Sequence, residues 1–196
     1  MKGGLLILLG ILAIVLFMGC NGYNGLVTKD ETVKKTWNNV QTEYQKRNDL
    51  VGNLVNTVKG AANFEQKTLT DVIEARAKAT SVNLTADDLS DPNKMAQFQQ
   101  AQNQMSGALS RLLVSVEAYP QLKATENFSR LQSQLEGIEN DIKNSRMQYN
   151  TAVNDYNVKL RSFPMNMLGG MFGFKVRSGF EADQGASKVP QVDFSK

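Results

Sequence analysis

The chain has 196 residues, 22 Lys and Arg against 19 Asp and Glu, one Cys, one Trp and no His. Without imidazole there is no Ser-His-Asp or Cys-His catalysis, no His-ligated zinc, copper or haem and no histidine pH switch, and a lone Cys makes neither an internal disulfide nor a thiolate metal site. The formal net charge of +3 never gathers into a basic block, which argues against a nucleic-acid partner.

From Gly3 to Cys20 the chain reads GGLLILLGILAIVLFMGC, without a charge. At the helical rise such a run covers roughly 27 Å, close to a hydrocarbon core of about 30 Å, so it predicts a membrane helix with Asn21 to Tyr23 at the interface. Two readings of this segment stand. It is an uncleaved signal-anchor, or it is a lipoprotein signal in which Gly19 precedes a lipidated Cys20, with Phe17 and Met18 poor at the other two positions. A buried helix of a soluble domain is disfavoured, because nothing in the run is amphipathic. Lys2 precedes it and Lys29, Lys34 and Lys35 follow, so the positive-inside count does not choose a side. The signal-like start points to a bacterial membrane with the remainder on its non-cytoplasmic face.

Beyond the run, apolar residues recur at steps of three and four. The stripes are Leu26, Val33, Trp37, Val40, Tyr44; then Val51, Leu54, Val58, Ala61, Leu69, Val72; then Met95, Phe98, Gln102, Met105, Leu109, Leu112, Val116, Tyr119. The last is Phe128, Leu131, Leu135, Ile138, Ile142, Ser145, Tyr149, Ala152 or Val153, Tyr156, Leu160, Phe163. Such stripes are the core-facing seams of packed helices, and no stretch alternates as a strand would. Turn residues separate them from Asn83 to Pro92 (NLTADDLSDP) and at Tyr119-Pro120. A further turn is expected at Asn48 to Gly52. A helix continuing to Thr80 would leave Trp37, Val40 and Tyr44 uncovered, and Asn, Asp and Gly make a break cheap there.

The predicted fold is all-α. Residues 1–22 form a membrane anchor or lipoprotein signal, and residues 23–163 an antiparallel up-and-down four-helix bundle with helices of roughly 24, 30, 27 and 38 residues. Residues 164–196 are an apolar segment and a flexible tail. That topology returns Phe163 to the end at which the first helix leaves the membrane. The run FPMNMLGGMFGF that follows is too short to span. It either touches the bilayer through Phe163, Met165, Met167, Leu168, Met171, Phe172 and Phe174, or closes the open end of the bundle. The sequence from Lys175 onward carries no stripe and reads as a mobile tail.

Candidate chemistry is sparse. Asp49, Asn53 and Asn56 share one helical face, which is either an interaction face or a solvated surface whose amides bond a neighbouring helix; the loop geometry of a hard-cation site is missing. Asp87, Asp88 and Asp91 are accounted for by helix capping. Arg47, Glu65 and Gln102 occupy seam positions, where a charge needs a partner, and Glu117, Glu136 and Glu139 are candidates to pair with Arg47 or Arg76. Tyr149-Asn150 and Tyr156-Asn157 repeat at seven residues, with the rings in the seam and each Asn beside it, for core packing and inter-helix hydrogen bonds. Ser and Thr lack a visible base and no phosphate-cradling glycine loop exists. The expectation is therefore no catalytic, cofactor-binding or metal-binding residue, and no enzyme. The expected partners are the membrane, other membrane or envelope proteins, and a second copy of the chain.

Particular residues then form a pattern. Tyr23-Asn24-Gly25-Leu26-Val27 after the apolar run, Glu31, Val33 and Trp37, KRNDLVGNLVNTVKG from Lys46 to Gly60, Glu65, Ala75-Arg76, and LLVSVEAYPQLKA from Leu112 to Ala124 come first. Phe128, Leu131, Glu139, Arg146, the two Tyr-Asn pairs, Phe163-Pro164 and Gly173-Phe174 follow. Over residues 23 to 180 the chain resembles the LemA family of bacterial membrane proteins. The resemblance implies an N-terminal anchor with a four-helix up-and-down bundle and supplies no activity. Where the family usually has a proline this chain has Gly52, which supports a turn there. Phe64 stands where relatives often carry His, so no role of that imidazole operates here.

Overall fold

Residues Lys2–Lys59 form a single helix of 58 residues, α1, that runs without a break from the apolar segment into the body of the protein. The structure, a computed structural model, describes residues 2–60 and 64–182, and of 2, 5–8 and 11–18 the backbone alone. Ala61 of the second stripe and the tail from 183 onward lie outside the described residues. Among the described residues five further helices follow and there is no strand: α2 (Gln66–Ser81), α3 (Pro92–Val116), α4 (Pro120–Lys123), α5 (Glu126–Arg161) and α6 (Met165–Leu168).

The turn expected at Asn48 to Gly52 is absent. Gly52 is a notch in a continuous helix: a Cβ there would stand 3.2 Å from Nη2 of Arg76, whose side chain crosses α1 and donates from Nε to the Asn48 carbonyl at 2.9 Å. A helical glycine costs about 1 kcal/mol against alanine. Burial of Val51, Leu54, Val55 and Val58 along the same stretch outweighs this, at about 1.5 to 3 kcal/mol for each fully buried side chain. The chain leaves the helix only after Lys59, where a basic last turn followed directly by Gly60 makes an ordinary stop. The next starts are capped as their sequences suggest. Asp91 accepts from the Asn93 and Lys94 amides with Pro92 at the first helical position, and Thr125 accepts from the Phe128 amide.

The four long helices pack as two antiparallel pairs, α1 with α5 and α2 with α3. Their lengths differ, and the difference shapes the molecule. From Asn24 onward α1 matches the 36 residues of α5, about 54 Å, whereas α2 has 16 residues and α3 has 25, about 24 and 37 Å. The short pair covers the remote part of the α1–α5 seam and, through Met95 and Phe98 at the start of α3, reaches back as far as Trp37. Nearer the run, the seam is closed by the connection Leu84–Ser90 and by residues 174–181. Trp37, Val40 and Tyr44 are thereby buried without the expected turn.

A polar layer divides the core in two. One half, built on Leu26, Trp37, Phe98, Tyr149 and Tyr156, lies toward the apolar run. The other, built on Val51, Leu54, Met105, Leu112 and Leu131, lies beyond. Between them the Arg47 guanidinium, 1 % exposed, donates to Ser106 Oγ at 2.9 Å, to Glu139 Oε1 at 3.2 Å and to Gln102 Oε1. Gln102 in turn donates from Nε2 to the Ala79 carbonyl at 3.2 Å. One cation thus ties α1 to α3, α5 and, through Gln102, α2.

Candidate functional site: an apolar foot and a C-terminal strap

The end of the molecule at which the apolar run enters carries two adjoining features. The first is the segment after α5, which folds back on α1. Met165 is 1 % exposed and fills the notch at Gly22, where a Cβ would come within 2.6 Å of Met165 Cε. Tyr23 meets Phe172 and Phe174 edge-on, with ring centroids 5.2 and 5.6 Å apart. Leu168 and Phe174 are half-buried against the core. Phe163, Met167, Met171 and Phe172 instead face outward, at 73, 69, 81 and 52 % exposure. The seven residues singled out from the sequence thus divide: Met165, Leu168 and Phe174 help close the body, and the other four form an exposed apolar foot, with Phe172 against Tyr23.

The second feature is a strap. Residues 175–181, expected to be mobile, are laid in extended form along α5 by its two Tyr-Asn pairs. Asn157 accepts from the Arg177 amide at 2.9 Å and donates to the Arg177 carbonyl at 2.8 Å; Asn150 does the same for Phe180, at 2.8 and 3.0 Å. Tyr156 donates its hydroxyl to the Lys175 carbonyl at 2.9 Å and Tyr149 to that of Ser178 at 2.8 Å. Burial raises the pKa of both phenols, so they remain donors. The register has a simple origin. Seven helical residues advance about 10.5 Å, and three extended residues advance about 10 Å. A repeat of seven on α5 therefore reads every third residue of the strap. From α3, Gln99 adds a third amide pair, with Glu181, at 2.9 and 3.1 Å.

Two strap side chains enter sockets. Phe180 is buried against Trp37, Phe98 and Tyr149, with the Arg146 guanidinium 4.6 Å above its ring. Arg177 donates to Asp30 Oδ1 from Nη2 at 2.8 Å and Nε at 3.1 Å, and from Nη1 to the Ala86 carbonyl at 2.8 Å and Ser90 Oγ at 2.9 Å. Burial by itself raises the pKa of Asp30, but hydrogen bonds and attraction from Lys34 and Arg177 prevail and hold it below its ordinary value. A carboxyl group so depressed adds stability above its unfolded pKa, near 3.9, and loses it as pH falls through the lower folded value. The strap is therefore expected to stay docked from pH 8 to 5 and to loosen below about pH 4, read as faster amide exchange at Arg177 to Glu181.

A family model described as the LemA family matches residues 36–194. The chain belongs to the LemA family. Among curated relatives, Magnetosome protein MamQ 2 of Paramagnetospirillum magneticum is 24 % identical over 95 % of this chain and 75 % of its own length. Magnetosome protein MamQ of Magnetospirillum gryphiswaldense is 24 % identical over 87 % of this chain and 70 % of its own length. Protein LemA of Metamycoplasma hominis is 20 % identical over 93 % and 77 %.

In this LemA-family chain the remaining residues singled out from the sequence are scattered. Asp49, Asn53 and Asn56 lie exposed on α1, with Asp49 accepting from Gln45 at 3.0 Å. Arg47 meets Glu139, but Arg76 goes to a main-chain carbonyl and not to a carboxylate. Glu117 pairs with Lys123 at the far end, and Glu136 accepts from Gln132. Cys20 is a free, exposed thiol. Arg177, Phe180, Gln99 and Asp30 were not singled out at all. One signal for them was present: Asp30 sits four residues after Leu26 and three before Val33, a carboxylate in an apolar seam, where Lys34 one turn on reaches one of its oxygens and leaves the other for Arg177.

Proposed function

We propose that this LemA-family protein is a membrane-anchored helical scaffold: an antiparallel four-helix bundle, attached to a bacterial membrane through residues 3–20 and standing on it through the foot at Phe163, Met167, Met171 and Phe172. Among the described residues no helix is long and apolar enough to cross a membrane, and the side chains at 5–8 and 11–18 lie outside them. The attachment therefore rests on the uncharged sequence from Gly3 to Cys20. The observation that carries the reading is a coincidence of level. Phe172 of the foot packs on Tyr23, and Met165, between Phe163 and Met167, fills the notch at Gly22, just past the end of the apolar run; exposed apolar side chains there suit an interface. The signal-like character of the apolar run supports a bundle on the non-cytoplasmic side. Its remote half, about 40 to 50 Å away along α1, presents Asp49, Asn53 and Asn56 to other membrane or envelope proteins. The protein acts by binding and spacing, not by catalysis.

Attachment is by a spanning helix or by lipid on Cys20, and intact-mass analysis separates them through the presence of Met1 or of a modified residue 20. Foot contact is tested by reconstituting the full chain with photoactivatable phospholipid. Labelling is expected within residues 163–174 as well as in the apolar run, and should fall several-fold at the foot in Met167→Ser/Met171→Ser/Phe172→Ser. Labelling confined to residues 3–20 would overturn the foot assignment.

A further inference from the structure

We propose that the groove along α5 is a docking site for an extended Arg-x-Gly-Phe segment, and that it takes Phe174–Glu181 of a second copy of this chain as well as its own. The recognition is of a peptide as such. Asn150, Asn157 and Gln99 each grip one residue by both its amide and its carbonyl, Tyr149 and Tyr156 take further carbonyls, and the Leu89 carbonyl accepts from the Ser178 amide at 2.7 Å. Sequence is selected at three places. The Asp30–Ser90 socket takes a guanidinium, the Trp37–Phe98–Tyr149 socket takes an aromatic ring, and the position between them must be small. A Cβ on Gly179 would stand 2.9 Å from Asn150 Oδ1, which is held by the Phe180 amide.

The occupant follows from what the groove already holds. Every contact of the strap is made by one continuous segment, so the same segment from a neighbouring copy would reproduce all of them, and exchange trades like for like. The tether is long enough. If α6 stays packed at Gly22, the residues from Gly169 to Gly173 can extend about 17 Å, enough to cross to the groove of a copy packed alongside. Gly173, at φ +79, already supplies a conformation that other residues rarely adopt, where the strap departs. Copies attached to one membrane would exchange more readily through their raised local concentration. Only that enhancement rests on the proposed attachment.

The test is complementation in detergent between two full-length variants carrying different tags. Arg177→Ala/Phe180→Ala weakens the strap and leaves the groove intact; Asn150→Ala/Asn157→Ala weakens the groove and leaves the strap. Each alone should stay monomeric, and the mixture should yield a mixed-tag complex. In parallel, a synthetic peptide spanning Phe174 to Ala182 should bind the strap-weakened variant saturably, shifting the emission of Trp37, the sole tryptophan, and should bind at least tenfold more weakly when its own Phe180 is alanine. Peptide binding without a mixed complex would overturn the role of the second copy, and absence of both would overturn the groove itself. Should either variant misfold, the otherwise native chain with a photo-crosslinking phenylalanine at position 180 decides the matter. Inter-chain links to the segment containing Phe98 support exchange, and links only within a chain refute it. None of these readouts involves lipid, so failure here and failure of the foot assignment are distinguishable.

Discussion

Replacing Arg47 with alanine should lower stability by about 3 kcal/mol, a fall in Tm of roughly 6 to 12 °C for a chain of this size. The guanidinium is a polar group that joins α1 to α3 and α5, and its removal strands Gln102 Oε1 and Ser106 Oγ between two apolar half-cores. The loss of the ion pair itself is the smaller part. The Glu139 side chain is 43 % exposed and can turn to water, so its attraction is screened. Arg47→Met keeps the buried stem and should cost about half as much. Reversing the pair, Arg47→Glu with Glu139→Arg, should not restore the melting temperature, because Gln102 would then present an acceptor to an acceptor. Full recovery would show that charge pairing with α5, and not the network with α3, sets the register.

Trp37→Ala should cost about 3 to 5 kcal/mol, the usual penalty for emptying a buried aromatic site. The indole packs on Phe98 of α3 at 5.3 Å, Tyr149 of α5 at 5.2 Å and Phe180 of the strap at 6.0 Å, and its Nε1 donates to the Leu84 carbonyl at 3.3 Å. The effect should be uneven. Amides of Arg177 to Glu181 lose one wall of the Phe180 socket and should exchange faster by more than the global change accounts for, while those around Met105 and Leu112, beyond the polar layer, should follow global stability. Trp37→Phe should cost only about 1 kcal/mol, because the Leu84 carbonyl keeps a donor in Gln41 Nε2 at 3.1 Å. Uniform acceleration across the chain in Trp37→Ala would contradict the division of the core.

The seams were legible in the sequence because burial in a helical protein imposes its period directly. Leu26, Val33, Trp37, Val40, Tyr44 and most of the stripes of α3 and α5 are buried where the pattern places them; Tyr119, Ile138 and Ser145 are half-buried, and Phe163, past the end of α5, is exposed. The break was misplaced because Gly52 carries two opposed signals. It is a weak helix former, and it is also the residue that admits a crossing side chain; only the position of Arg76, 24 residues on, decides between them. Lys59-Gly60 was the better stop signal. The strap escaped notice for another reason. Its main chain is recognised by side chains of α5 and α3, so its own sequence needs no periodicity, only Arg177, Gly179 and Phe180. The Tyr-Asn repeat was visible, but its partner proved to be an extended segment and not a helix.

The standing of the molecule on the bilayer is tested most directly by depth. A genetically encoded fluorescent residue at position 172, which leaves Cys20 untouched, is read in reconstituted full-length protein against lipids carrying quenchers at graded depths, with the same residue at position 56 as the remote reference. Strong quenching is expected at position 172 by shallow, interfacial quenchers and none at position 56, about 50 Å away along α1. Equal absence of quenching at both positions would contradict it, leaving the foot in water and the protein attached through residues 3–20 alone.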